Sequence, residues 1–217
     1  MPMNNPGLHS FWHVLTRLGE IQILLPAALL AMLVLARRSQ TRSLAGFWLG
    51  ALALATALTT ASKIAFIGWG IGSAELDFTG VSGHAMFAAG VYPLLLGTLA
   101  SPLPPWAQKV AVAAGFALAL AVGLSRIEVG AHFASEVLAG LLLGGLASAV
   151  VIAGKQLPRT LVGPGLSLLV AFWVLVTPVK VPALPTHALV TQLALSLSGH
   201  PAAHTRASIR EPWRPRP

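Results

Sequence analysis

Apolar and polar positions along this chain fall into long blocks rather than short alternations. Six apolar runs cover 21–36, 44–72, 83–100, 106–124, 133–153 and 161–179. A helix that crosses a bilayer needs about 20 predominantly apolar residues, so each run predicts a spanning helix. The first run is short by that measure. The second is long, and its end is expected to unwind near Gly68, Gly70 and Gly72. Pro93 predicts a kink in the third. The connectors 37–42, 101–105 and 154–159 read as turns. Ahead of the first run, Phe11, Trp12, Leu15 and Leu18 recur at helical spacing, interrupted by His9, His13, Arg17 and Glu20. That pattern predicts an interfacial amphipathic helix rather than a signal peptide. Beyond the last run, Leu184, Val190, Leu193 and Leu197 mark an amphipathic stretch before a Pro/Arg-rich end expected to be poorly ordered. The predicted organisation is an interfacial N-terminus (1–20), a transmembrane domain (21–180) and a tail (181–217). The fold class is all-α: a polytopic transmembrane bundle of about six spans.

Composition strengthens this picture. Of 217 residues, 55% are hydrophobic and only 9% charged. A soluble domain carries about a quarter charged residues, and a disordered chain is far less apolar. The net charge of +8 is spread too thinly between apolar runs to form a nucleic-acid footprint. Its placement sets an orientation instead. Arg37, Arg38, Arg42, Lys109, Lys155 and Arg159 lie in or just beyond alternate connectors, and Glu75, Asp77 and Glu128 lie in the others. The positive-inside rule puts the basic set in the cytoplasm, which leaves both termini outside. The glycine pairs Gly46/Gly50 and Gly140/Gly144 are spaced to let helices approach. The absence of cysteine excludes thiol chemistry and cysteine metal sites.

With alternating helix directions, one set of polar residues falls at a single outer level. Lys63 lies near the end of the second run, and Ser82, Gly83 and His84 start the third. Ser125 and Arg126 end the fourth, and His132 and Glu136 start the fifth. A carboxylate one turn inside an apolar helix needs a partner, and His132 at i−4 is placed to share its helix face. Such a carboxylate holds one imidazole nitrogen and frees the other as nucleophile or base. Lys63 and Arg126 supply charge for a phosphate, Arg126 through its planar fork. Gly83 allows close backbone approach, and Ser82 and Ser125 add donors. His84 is placed to protonate a leaving oxygen. The acids are few and scattered, so no metal site and no cofactor are predicted.

At these residues the sequence resembles the type 2 phosphatidic acid phosphatase superfamily of membrane lipid phosphatases. That family carries the motifs Lys-x6-Arg-Pro, Pro-Ser-Gly-His and Ser-Arg-x5-His-x3-Asp. Ser125-Arg126, His132 and Glu136 match the third, and Val81-Ser82-Gly83-His84 matches the second. The first keeps Lys63 but has Gly70-Ile71 in place of Arg-Pro. Val81 replaces a proline, and Glu136 replaces the aspartate. The resemblance implies a metal-independent phosphatase working through a phosphohistidine. It implies His132 as nucleophile, Glu136 as its orienting carboxylate and His84 as general acid. Lys63, Ser82, Gly83, Ser125 and Arg126 would bind the phosphate. The expected substrate is a lipid phosphate or diphosphate of the phosphatidate, phosphatidylglycerophosphate or undecaprenyl diphosphate type. The expected place is a bacterial inner membrane, with the site on its periplasmic face. A lipid phosphotransferase, or a lipid-phosphate-binding protein without catalysis, would carry the same pocket.

Overall fold

Blocks of apolar residues become helices here because only a helix satisfies every backbone group within its own segment inside hydrocarbon. The computed structural model describes residues 6–159, 170, 173, 176 and 185–210. Among the described residues the elements are α1 (Pro6–Arg17), α2 (Ile21–Ala36), α3 (Ser39–Trp69), α4 (Gly83–Leu99), α5 (Pro105–Glu128), α6 (Ala134–Gly154), α7 (Thr186–Ser198) and α8 (Arg206–Arg210). Most of the sixth apolar run lies outside the described residues. Within it Val170, Trp173 and Val176 are helical, and the Trp173 indole donates to the Ile23 carbonyl at 3.1 Å. The Pro/Arg-rich end from 211 onward is also outside them.

The helices from Ser10 to Ala36, α3, α5 and α6 are long and apolar enough to span a membrane, and α4 is a shorter apolar helix. Their outer faces are apolar and exposed: Leu54, Val110, Leu120, Leu142 and Leu146 all point away from the bundle. In water such a surface would be costly, but it suits contact with lipid. The chain is therefore polytopic and all-α, as its pattern predicts.

α3 departs from the prediction at its start. It begins at Ser39, so Gln40, Thr41 and Arg42 belong to the helix and the first connector shrinks to Arg37-Arg38. At about 1.5 Å per residue its 31 residues outrun the roughly 30 Å hydrocarbon layer. Its end falls in the expected glycine stretch: Gly68 is still buried inside the helix, which stops at Gly70 (φ 70°).

α4 is the centre of the bundle, packed by α2, α3, α5 and α6 and buried on almost every face. Proline at 93 removes one backbone N–H and so releases the carbonyl of Ala89 four residues earlier. The Ser148 hydroxyl of α6 donates to that carbonyl at 2.8 Å. The Trp48 indole of α3 donates to the Gly90 carbonyl at 3.0 Å. The proline thus frees the Ala89 carbonyl for α6, and the adjacent Gly90 carbonyl takes a second bond from α3.

The two glycine pairs have opposite fates. A methyl on Gly144 would fall 2.0 Å from the Met86 carbonyl oxygen, and one on Gly140 would fall 2.5 Å from that of Ser82. These glycines let α6 lie directly on the α4 backbone. Among the described residues Gly46 and Gly50 have nothing within 4 Å of an added Cβ, so the packing expected of them is not formed there.

Candidate active site

Four helix ends meet at one level: the end of α3, the start of α4, the end of α5 and the start of α6. Short connectors force this, because each pair of successive helices must run antiparallel. The start of α4 is tied to α6 by the Ser82 N–H, which donates to the Glu136 carbonyl at 3.0 Å. Lys63, Gly83, His84, Arg126 and His132 line one cavity of about 760 Å³. The Lys63 ammonium lies 3.8 Å from the point where a Gly83 side chain would start. The remaining predicted residues stand behind that wall. The Ser125 hydroxyl donates to the Val122 carbonyl of its own helix at 2.6 Å, and Ser82 and Glu136 are fully buried. The Ser82 hydroxyl and the Arg126 Nε are buried without a hydrogen-bond partner among the described residues.

The His132–Glu136 pair forms, but not on one helix face. His132 precedes α6, Phe133 is its N-cap and Glu136 is the third helical residue. Glu136 reaches back over the first turn, as the acid of a capping box does. Its Oε2 accepts from the Phe133 N–H at 3.1 Å and lies 2.8 Å from His132 Nδ1. Its Oε1 accepts from the Thr79 N–H at 2.8 Å and the Thr79 hydroxyl at 2.5 Å. It also accepts from Arg206 Nη2 at 2.9 Å. A fully buried carboxylate is tolerated only when its lone pairs are filled and its charge is matched, and both conditions hold here. With Nδ1 committed to Glu136, the other nitrogen, Nε2, is the one left for chemistry. Burial pushes the His132 imidazole below its ordinary value. The bond to Glu136 opposes that push, and the charges of Lys63 and Arg126 add to it.

Several contributors have no signature in the sequence. Thr16 of α1 accepts from Arg126 Nη1 at 2.9 Å, and Glu20 lines the cavity beside Gly19. The N-terminal segment therefore braces the site. Thr79 is a loop threonine with no motif to mark it. The tail reaches the cavity through His187, His204 and Arg206. His187 and His200 are exposed, but His204 is half-buried with its ring 3.0 Å from a Cβ position on Gly70. The amphipathic face of α7 also differs from its leucine pattern. Ala194 is buried against Phe66 and Ile67, with Val190 beside them, while Leu193 and Leu197 are exposed.

The sequence and helical frame of the chain have relatives among known proteins. The family model described as the PAP2 superfamily matches residues 68–158. An uncharacterized 22.5 kDa protein in the cps region of Klebsiella pneumoniae is 40% identical over 148 residues, 68% of this chain and 71% of that protein. Phosphatidylglycerophosphatase B of Bacillus subtilis (strain 168) is 41% identical over 73 residues, 32% of this chain and 36% of that one. The crystal structure of a transmembrane PAP2-type phosphatidylglycerolphosphate phosphatase from Bacillus subtilis superposes with a TM-score of 0.55 at 27% identity. That match covers 70% of this chain and 78% of the other. By sequence and by helical frame, the chain belongs to the PAP2 superfamily of membrane proteins.

Proposed function

We propose that this protein is an integral-membrane lipid phosphatase that hydrolyses a lipid phosphate or diphosphate through a phosphohistidine. One observation carries the reading: Lys63, His84 and Arg126 from three helices and His132 from the connector before α6 border one cavity, and the His132 imidazole is fixed by a buried carboxylate. Lys63 and Arg126 hold the phosphate oxygens, and the unpaired Arg126 Nε and the close approach allowed by Gly83 suit an anion there. Ser82 and Ser125 support this wall from behind. His132 Nε2 attacks phosphorus, and the bond from phosphorus to the lipid oxygen breaks. His84 gives its proton to that oxygen, because the phosphate beside it favours the imidazolium. Water then attacks the phosphohistidine, gives its proton to the now neutral His84 and breaks the bond from phosphorus to Nε2. Inorganic phosphate leaves, and His132 is regenerated, oriented throughout by Glu136.

Phosphatidate, phosphatidylglycerophosphate and undecaprenyl diphosphate are the substrate candidates. The similarity to phosphatidylglycerophosphate phosphatases supports the second. The basic connectors lie at the opposite end from the site. That supports a cytoplasmic basic end and a periplasmic site in a bacterial inner membrane. The test is phosphate release by purified protein in EDTA from each of the three lipids, beside His132→Ala. Release that survives EDTA and disappears in the variant is expected. Release retained by His132→Ala would end the phosphohistidine reading, and silence of the folded wild type towards all three lipids would end the hydrolase reading.

A further inference from the structure

The C-terminal segment contributes a charged group to the core of the site. Arg206 donates to Glu136 Oε1 at 2.9 Å and to the Thr79 hydroxyl at 3.1 Å. Its other terminal nitrogen donates to the Asp77 carbonyl. Its guanidinium lies over the Phe133 ring, 4.3 Å from the centroid. One side chain therefore ties the loop between α3 and α4 to the first turn of α6. It does so through the same carboxylate that holds His132.

The route of the tail explains why this is possible. Where the first family motif has arginine, this chain has Gly70, in the left-handed region at φ 70°. His204 packs its ring against that glycine, and its N–H donates to the Ile67 carbonyl at 2.9 Å. A Cβ at position 70 would crowd the ring at 3.0 Å and would be strained at this positive φ. The glycine that removes the arginine thus makes the berth that brings another arginine to the site, two residues further along the tail.

We propose that Arg206 is a positioning residue for the His132–Glu136 pair, balancing the buried carboxylate and fixing the loop at Thr79. This rests on the phosphatase reading for its consequence in activity but not for its effect on His132. The other charged or titratable groups around His132 are Lys63 from α3, His84 from α4, Arg126 from α5 and Glu136 from α6. Glu20 ahead of α2, His187 of α7 and His204 of the tail border the same cavity. All are retained when Arg206 alone is changed. Removing its positive charge leaves Glu136 to hold the His132 proton more strongly, so His132 titrates at higher pH.

The experiment follows His132 by NMR in histidine-labelled protein in micelles, with its resonance assigned by its loss in His132→Gln. Wild type, Arg206→Gln and Arg206→Lys are compared. Arg206 is 29% exposed on the short α8, and melting curves verify that each variant is folded. The His132 titration is expected to move up by about 1 pH unit in Arg206→Gln, and to stay near wild type in Arg206→Lys. The acid limb of phosphate release should move with it, with kcat falling about tenfold and KM little changed. An unmoved His132 titration in folded Arg206→Gln would overturn the proposal, and so would an equal shift in both variants. If the wild type releases no phosphate, the hydrolase reading fails, while the titration still decides the role of Arg206.

Discussion

Glu136 shows how much one residue can settle. Glutamate in place of the family's aspartate adds a methylene. From the third position of α6 the longer arm reaches His132, the Phe133 N–H, Thr79 and Arg206 together. Glu136→Gln keeps the shape and removes the charge. It should lower kcat by about 10²–10⁴-fold, read from phosphate release at saturating lipid. His132 also sets a pH dependence. Its imidazole lies below the ordinary value of 6.5, and attack requires the neutral form. The acid limb of activity should therefore lie below pH 6.5, as His132 is protonated through its lowered value. A pH–rate profile with its acid limb above 6.5 would contradict this.

At the scale of the elements, the bundle depends on how α4 is clasped. Gly144→Ala drives a methyl into the Met86 carbonyl and should cost about 1–3 kcal/mol, measured by thermal or denaturant unfolding in micelles. Gly46→Ala meets nothing and should be neutral or stabilising by about 0.5–1 kcal/mol. Ser148→Ala leaves the Ala89 carbonyl, already without its helical donor, unsatisfied. Its expected cost is about 0.6–1.7 kcal/mol. The sequence displays both glycine pairs identically. Only the helix on which each pair lands separates them, and that is a tertiary fact.

At the scale of the whole molecule, charge and helix direction together orient the protein. The chain has no cysteine, so single cysteines can report on each end. Glu75→Cys in the exposed loop beside the site should react with an impermeant thiol reagent in intact cells. Gln40→Cys, beside Arg38 at the other end, should react only after permeabilisation. The reverse pattern would invert the proposed orientation. Both ends of the chain also converge on the site: Thr16 and Glu20 come from one side and Arg206 from the other. Neither is foreseeable from a motif, because each depends on a contact between residues more than 60 positions apart.

Helical class, membrane insertion and the gathering of Lys63, His84, Arg126 and His132 at one level were determined by the sequence. Long apolar blocks can only be helices in lipid, and short connectors make successive helices alternate in direction. The pairing of His132 with Glu136 was also legible, though the sequence suggested a shared helix face and the structure uses a helix cap. Tertiary structure alone decided which predicted donors reach the cavity and which, like Ser82 and Ser125, stand behind it. It also decided that a glycine at 70 seats the tail, and that the tail places Arg206 on the buried carboxylate. Such contacts are set by packing between distant segments, and local spacing carries no record of them.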